Sequence, residues 1–158
     1  MNSIVARKRD SIEADTENQR RSDNMSRIRA KNTKPELKVR SLLHSYGLRY
    51  RLHNKLLPGK PDISIKKFKI AIEVKGCFWH QHKNCRYASI PKSNTEYWIP
   101  KLKKNQERDI QNQILMKELG YRLFTIWECD TKDEKCLTEK AEQIIFYKKT
   151  VSKNMQNV

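Results

Sequence analysis

Residues 61–75 read Pro-Asp-Ile-Ser-Ile-Lys-Lys-Phe-Lys-Ile-Ala-Ile-Glu-Val-Lys: two runs in which apolar residues alternate with others, separated by a lysine-rich turn. Alternation with a period of two is typical of β-strands, because successive side chains point to opposite faces of a sheet. The stretch therefore predicts a β-hairpin. In that hairpin Glu73 and Lys75 lie on one face of the second strand, and the turn brings Asp62 towards both.

The segments on either side of the hairpin predict three helices and two more strands. Thr33-Lys34-Pro35-Glu36 is a capping box with proline at the first helical position, and Gly47 supplies the stop. In chain order the other expected elements are a strand at 48–52, a structured loop at 77–98, a helix from Thr95 or Ile99 to Leu119, a strand at 121–127 and a helix that begins near Thr138 and buries Ile144, Ile145 and Phe146. This order predicts the α/β class, with a mixed central β-sheet flanked by helices.

Length and composition predict a single domain. With 158 residues and 37% hydrophobic composition, the chain can build one core. Residues 1–24 are polar and show no apolar periodicity, so we expect a disordered or loosely ordered tail at 1–23, the folded domain at 24–150 and a short tail at 151–158. We expect a cytoplasmic protein, because the sequence has no apolar run of membrane-spanning length and no secretory signal.

The net charge of +16 predicts a polyanionic partner. Residues 25–75 carry fourteen basic side chains and only three acidic ones, Glu36, Asp62 and Glu73. An excess of lysine is also common on ordinary solvated faces, so the retained carboxylates are more informative than the total charge. A cation held against a phosphate backbone would explain them.

Two of these carboxylates suit a divalent-cation site. Mg²⁺ prefers hard oxygen ligands and keeps several waters, so Asp62, Glu73 and the carbonyl of Val74 suffice to hold it. Lys75 could then polarise a water or hold the scissile phosphate of a phosphodiester. The alternative is a surface ion pair between Glu73 and Lys75. Local signals alone favour Glu36 as a helix cap.

Histidine and cysteine residues follow the hairpin closely. His80 could exchange a proton with water or with a leaving 3′ oxygen, and the alternatives are a zinc-type ligand or a core histidine. Four ligands that suit tetrahedral Zn²⁺ are Cys77, His82, Cys85 and Cys129. Chance clustering of buried cysteines is the alternative. Cys136 is predicted to be an ordinary thiol.

Phe78 and Trp79 lie between Cys77 and His80. On an extended chain adjacent side chains point opposite ways, so both cannot enter one core layer. In a basic protein, exposed aromatic rings can wedge between bases or stack on them. The alternative is an aromatic roof over the cysteine loop, and Trp98 could equally serve packing.

Six motifs occur in order between Asn24 and Asp130: Asn24-Met25, Pro58-Gly59-Lys60-Pro61-Asp62, Gly76-Cys77-Phe78-Trp79-His80, Thr95-Glu96-Tyr97-Trp98, Lys104-Asn105-x-x-Arg108-Asp109 and Trp127-Glu128-Cys129. Together they resemble the very-short-patch mismatch endonucleases, which are similar in fold to restriction endonucleases. Those enzymes nick one strand of duplex DNA 5′ to the thymine of a T:G mismatch left by deamination of 5-methylcytosine.

The resemblance implies roles for residues of this chain. It implies Mg²⁺ on Asp62 and the Val74 carbonyl, His80 as general base or acid, and Glu36 as support for the water shell of the metal. It implies a structural Zn²⁺ on the four ligands named above. The DNA contacts that it implies are a wedge of Phe78, Trp79 and Trp98, an approach of Met25 from the other groove, and contacts by Asn105 and Arg108.

The resemblance also implies a partner, double-stranded DNA with a T:G mismatch, and makes mismatch-repair proteins candidate partners. We expect a monomer without a small-molecule cofactor. The best-known members lack the acid and the lysine of the Glu-x-Lys element, so Glu73 is a candidate direct metal ligand here. Two other functions compete: a restriction-type nuclease without mismatch specificity, and a non-catalytic zinc-bearing DNA-binding module.

Overall fold

A computed structural model describes residues 31–156 of the chain. The described helices are α1 (Lys34–Ser45), α2 (Thr95–Glu118) and α3 (Glu134–Gln156), and the strands are β1 (Arg51–Leu52), β2 (Ile63–Ile65), β3 (Ile70–Lys75) and β4 (Arg122–Trp127). No helix within 31–156 is long and apolar enough to cross a membrane. Met25 and the predicted domain start at residue 24 lie outside the described residues.

The four strands form one mixed sheet in the order β1-β2-β3-β4. β2 pairs with β1 and with β3 in antiparallel fashion, whereas β3 and β4 are parallel. The turn between β2 and β3 is a short 3₁₀ helix, Lys66–Phe68, closed by Lys69 in the left-handed region. The predicted hairpin is therefore confirmed, as is the α/β class with a mixed sheet flanked by helices.

The two faces of the sheet pack against different helices. One face, which includes Ile70 and Ile72, is fully buried in a core with α1 and α3; a buried side chain of this size contributes about 1.5–3 kcal/mol. The other face packs through Ala71 against Met116 of α2 in a smaller cluster. Glu73 and Lys75 belong to this second face by strand alternation, so they point towards α2.

Three boundaries differ from the sequence prediction. β1 contains only Arg51–Leu52, because the preceding residues pack as a loop. α3 begins at Glu134, where the Asp133 side chain accepts a hydrogen bond from the Cys136 N–H and caps the helix. The helix continues to Gln156, so residues 151–156 are helical instead of a tail.

The buried stripes of α2 and α3 also differ from the prediction. Phe146 of α3, predicted to be buried, is 73% exposed, while Ile144 is fully buried. In α2 the apolar Ile110 and Ile114 face away from the sheet, and the side chains that face it include buried Asn105. α2 therefore presents polar groups to the sheet in its middle part.

Candidate active site

Asp62 lies at the open end of the β2–β3 hairpin. Its Oδ2 accepts a 2.7 Å hydrogen bond from the N–H of Val74, which lies beyond the last β2–β3 pair, Ile63 with Ile72. Its backbone carbonyl accepts a 3.0 Å hydrogen bond from the N–H of His53, which continues the β1–β2 ladder. Both neighbouring strands therefore hold Asp62 in place, and the predicted approach of Asp62 to the second strand is confirmed.

The surroundings of Asp62 oppose its negative charge. Burial raises the pKa of this carboxyl above its usual range; the Val74 N–H lowers it, and the nearby charge of Glu36 raises it again. A divalent cation beside Asp62 would offset this cost, because an opposite charge stabilises the ionised carboxylate. The environment of Asp62 therefore suits a metal-bound carboxylate.

The carbonyl of Val74 is directed to the same side of β3 as its N–H. In a β-strand the N–H and C=O of one residue project to the same side, and the N–H of Val74 points at Asp62. The Asp62 carboxylate and the Val74 carbonyl are thus two hard oxygen ligands on one side of one strand, which is the donor set that Mg²⁺ prefers.

Lys75, Asp109 and His80 form a connected group on the α2 side of the sheet. Lys75 Nζ lies 3.0 Å from Glu73 Oε2 and 3.1 Å from Asp109 Oδ2, and only 11% of the lysine side chain is exposed. The same Asp109 oxygen lies 2.5 Å from His80 Nδ1. Since a carboxylate accepts hydrogen bonds, this contact places the His80 proton on Nδ1 and makes Nε2 the proton-accepting nitrogen.

Glu73 belongs to this ion-pair group, and its charge also acts on Asp62. The ion pair between Glu73 and Lys75 is confirmed, but it is buried, whereas the sequence alternative was a surface ion pair. Gly59 lies in the turn before Asp62 and has a φ of +68°. A Cβ at this position would lie 3.1 Å from Glu73 Oε1 and 2.8 Å from Asn112 Nδ2, so glycine allows the turn to approach Glu73 closely. Glu73 is thus a partner of Lys75, and its role as a direct magnesium ligand stays a prediction.

Asp109 should make the folded protein sensitive to acid. Burial by itself would raise the pKa of this carboxyl, but the hydrogen bond and charge of His80, together with Lys75, lower it overall below the usual 3.8. A carboxyl with a lower pKa in the folded state contributes stability that is present above its unfolded pKa and is lost as the pH falls through its folded pKa. We therefore expect Asp109→Asn to lose less stability than the parent protein between about pH 5 and about pH 3.

Thermal unfolding at a series of pH values measures this difference. The control is Glu118→Gln, which removes an exposed carboxylate at the end of the same helix and should follow the parent protein. The same acid dependence in Asp109→Asn and the parent protein would contradict the prediction.

Glu36 faces the Asp62 side of the molecule from α1. It is only 2% exposed, and its Oε1 binds Nη2 of Arg40 one helical turn later. The same oxygen lies 3.3 Å from His53 Nε2, and His53 Nδ1 lies 3.8 Å from Asp62 Oδ1. Glu36, His53 and Asp62 therefore form a cluster whose potential ligand atoms all lie within 4.8 Å of one another.

The four predicted zinc-type ligands come together where the loop after β3 meets the end of β4. Ligand atoms of Cys77, His82, Cys85 and Cys129 all lie within 4.8 Å of one another. His82 Nδ1 is 3.8 Å from Cys77 Sγ and 3.3 Å from Cys129 Sγ; ligands of a tetrahedral Zn²⁺ with ordinary bond lengths are about 3.6 Å apart. Cys136 is outside the cluster, and its thiol donates to Asp130.

Two of these thiols resist ionisation. Burial raises the pKa of Cys77, and burial together with the adjacent Cys77 thiol raises the pKa of Cys129 to about 12. The pKa of Cys85 is lowered, chiefly by the backbone N–H of Tyr87. A bound metal would favour the ionised form of Cys77 and Cys129, because a metal binds thiolates and releases their protons. Soft ligands at tetrahedral spacing fit Zn²⁺.

Three aromatic rings gather beside His80. The centroid of Phe78 lies 5.1 Å from Trp79 and 5.3 Å from Trp98, and the two tryptophans are 6.0 Å apart. Residues 77–81 form turns, so the expectation that Phe78 and Trp79 point to opposite sides of an extended chain is wrong. All three rings are half-buried and leave part of their surface for a partner.

The two polar residues predicted to contact DNA from α2 differ in exposure. Asn105 is buried, and its Nδ2 donates a 3.1 Å hydrogen bond to the carbonyl of Trp79. Arg108 is exposed and donates a 3.2 Å hydrogen bond to Asn105 Oδ1. Asn105 therefore supports the backbone of the aromatic cluster, and the DNA contacts of Asn105 and Arg108 stay predictions.

The sequence interpretation assigned no role to His53 or Asp109. His53 reaches Asp62 only because β1 pairs with β2. Asp109 belongs to a stripe of α2 with helical spacing that is apolar at its ends and polar in the middle: Leu102, Asn105, Asp109, Asn112 and Met116. The spacing of that stripe places Asp109 on the sheet-facing side of α2, although hydropathy alone predicts that the polar middle of the stripe faces solvent.

The chain is similar to known DNA endonucleases. The family model for the DNA mismatch endonuclease Vsr matches residues 14–86. The chain is 38% identical over 121 residues to the DNA mismatch endonuclease Vsr of Escherichia coli K12, which covers 77% of each chain. It is 40% identical over 126 residues to the type II nicking enzyme V.NmeAIP of Neisseria meningitidis serogroup A, covering 80% of this chain and 89% of the relative.

A third relative is the type II nicking enzyme V.XorIIP of Xanthomonas oryzae pv. oryzae. It is 42% identical to the chain over 127 residues, which cover 80% of this chain and 93% of the relative. Relatives of this similarity exclude the interpretation as a non-catalytic DNA-binding module. The chain belongs to the Vsr family of DNA mismatch endonucleases and is itself a DNA endonuclease.

Proposed function

We propose that this endonuclease nicks one strand of duplex DNA 5′ to the thymine of a T:G mismatch, with Mg²⁺ as its catalytic cation. The observation that supports the proposal is the order of contacts along the end of β3: Val74 is hydrogen-bonded to Asp62, and the next residue, Lys75, contacts Asp109 of the His80–Asp109 pair. Phe78 and Trp79 of the aromatic cluster directly precede His80 in the chain. Hydrolysis and mismatch recognition can therefore act on the same stretch of DNA.

The residues of the site divide the hydrolytic work. Asp62 and the Val74 carbonyl hold the cation, which when bound neutralises charge on the scissile phosphate. His80, whose Nδ1 proton is held by Asp109, accepts a proton from the attacking water at Nε2. Lys75, held between two carboxylates, provides a positive charge for a phosphate oxygen.

The scaffold fits a restriction-endonuclease-like fold with a structural zinc. In that proposal β3 carries the Glu73 and Lys75 pair on the face that α2 covers. A Zn²⁺ on the cysteine and histidine cluster would fasten the loop after β3 to the segment that follows β4, at Cys129. The loop holds His80 and the wedge residues Phe78 and Trp79, so the metal would support the site without taking part in hydrolysis.

A nicking assay tests the proposed function. Duplexes that differ only in a T:G or T:A pair are labelled on each strand in turn and incubated with Mg²⁺ or with EDTA. We expect one cut, 5′ to the mismatched thymine, in the presence of Mg²⁺ only. Flanking base pairs are then varied to find the preferred context.

A second candidate function is a sequence-specific nicking enzyme of a restriction-type system without mismatch specificity. It is favoured by the names of the Neisseria and Xanthomonas relatives, which are type II nicking enzymes. The same assay separates the two candidates, because this enzyme would cut matched DNA at a rate close to that on the T:G duplex.

Trp79→Ala should narrow the preference for T:G over matched DNA. An aromatic ring stacked on a base contributes about 1–3 kcal/mol, so loss of the wedge should reduce the ratio of the two rates about tenfold. Single-turnover rates on both duplexes measure the ratio. Phe146→Ala, which removes an exposed ring of α3, is the control and should keep it. Unchanged discrimination in Trp79→Ala would refute the wedge.

A further inference from the structure

His53 faces Asp62 from the side opposite Val74. It follows β1 directly, has a φ of +46°, and its side chain is 21% exposed. Its Nδ1 lies 3.8 Å from Asp62 Oδ1, while its Nε2 lies 2.9 Å from Nη2 of Arg40. The imidazole is thus placed between a guanidinium and the carboxylate of the proposed cation site.

The contact with Arg40 favours a proton on Nδ1 of His53. Nε2 has two neighbours, Arg40 Nη2 at 2.9 Å and the Glu36 oxygen Oε1 at 3.3 Å. A guanidinium donates hydrogen bonds and accepts none, so the shorter contact favours Nε2 as the acceptor from Arg40. A neutral imidazole has one N–H, which is then on Nδ1 and faces Asp62. Glu36 binds the same guanidinium nitrogen and keeps it beside the ring.

This protonation state excludes His53 as a ligand of the cation. A metal binds imidazole through an unprotonated nitrogen, and here the lone pair of Nε2 is directed at Arg40 while Nδ1 carries the proton. The 3.8 Å separation between Nδ1 and Asp62 Oδ1 is longer than a direct hydrogen bond, so the attraction between them is electrostatic. It acts on Oδ1, whereas the N–H of Val74 holds Oδ2.

We propose that His53 is a positioning residue for the catalytic cation: its Nδ1–H orients Oδ1 of Asp62, so that both carboxylate oxygens are held before the cation binds. The proposal rests on the proposed function, because it assumes a divalent cation on Asp62. Groups that orient a ligating carboxylate typically contribute about 10–100-fold in metal affinity. The long separation places His53 at the lower end of that range, at about tenfold.

Metal titration of the full chain tests the proposal without relying on activity. His53→Leu removes the N–H, whereas the amide of His53→Gln can accept from Arg40 and donate towards Asp62. In calorimetry with Mn²⁺ as the probe, we expect His53→Leu to weaken binding about tenfold and His53→Gln to stay close to the parent protein. A His53→Gln variant as weak as His53→Leu would overturn the role.

The protonation state of His53 is measured on the unsubstituted protein. Nuclear magnetic resonance of ¹⁵N-labelled histidines distinguishes the two neutral forms, and His53→Gln assigns the signal. We expect the proton on Nδ1. A proton on Nε2 would overturn the proposal.

Two further outcomes separate this inference from the proposed function. If Asp62→Asn binds Mn²⁺ as tightly as the parent protein, the cation is not on Asp62 and both proposals fail. If Asp62→Asn loses binding while His53→Leu keeps it, only the role of His53 fails. Loss of a nitrogen coupling from the pulsed electron paramagnetic resonance of bound Mn²⁺ in His53→Gln would make His53 a ligand and would also overturn positioning.

Discussion

Asp62→Asn should slow nicking by about 10³-fold or more while leaving DNA affinity unchanged. The substitution removes one of the two proposed oxygen ligands of the cation. A cation that stabilises the transition state by several kcal/mol accounts for about 10³-fold in rate, at about 1.4 kcal/mol per tenfold. The basic surface that binds phosphates stays intact. Single-turnover nicking of a T:G duplex measures the rate, and fluorescence anisotropy in EDTA measures the affinity.

Comparison with Asp62→Ala separates catalysis from stability. Asparagine retains an oxygen that can accept the 2.7 Å hydrogen bond from the Val74 N–H. Alanine leaves that N–H without this acceptor, which lowers the free energy of unfolding by about 1–3 kcal/mol. We expect both variants to be equally inactive and the alanine variant to melt at a lower temperature. Glu118→Gln, the exposed carboxylate control, should keep full activity. Substantial nicking by Asp62→Asn would place the cation elsewhere.

If the proposed zinc is bound, Cys77→Ser should lose it together with much of the stability. Cys77 is fully buried and directly follows β3. Its substitution therefore removes a ligand that would connect the loop after β3 to Cys129 through the metal. Structural zinc contributes about 10–16 kcal/mol in small domains, so loss of even a few kcal/mol should lower the melting temperature by about 10 °C or more. Elemental analysis of protein purified without added metal measures zinc per chain, and calorimetry measures unfolding.

Cys136→Ser is the matched control for this experiment. It removes the one cysteine outside the cluster, whose thiol contacts Asp130, and it should keep one zinc per chain and a melting temperature close to that of the parent protein. Absence of zinc from the parent protein would refute the zinc site. Full zinc content in Cys77→Ser would show that this cysteine is not a ligand.

Several parts of the fold and the site could be predicted because they depend on local pattern. The alternation in residues 61–75 was sufficient for the hairpin, since a one-residue shift would move every isoleucine to the wrong face. Residue chemistry was sufficient for the cysteine and histidine cluster, because few side chains suit a soft metal. The start of α3 was predictable in principle from Asp133 as an N-cap, a signal that apolar periodicity does not contain.

The sequence by itself determined the hairpin, the position of Asp62 beside Val74, and the residue types that can bind a metal, because strand period and ligand chemistry are properties of short segments. Only the tertiary structure decided the partners of those residues. Asp109 meets Lys75 and His80 because α2 lies over β3, and His53 meets Asp62 because β1 pairs with β2. Hydropathy separates apolar from polar positions, but a polar side chain that faces a polar site has the same local pattern as one that faces water.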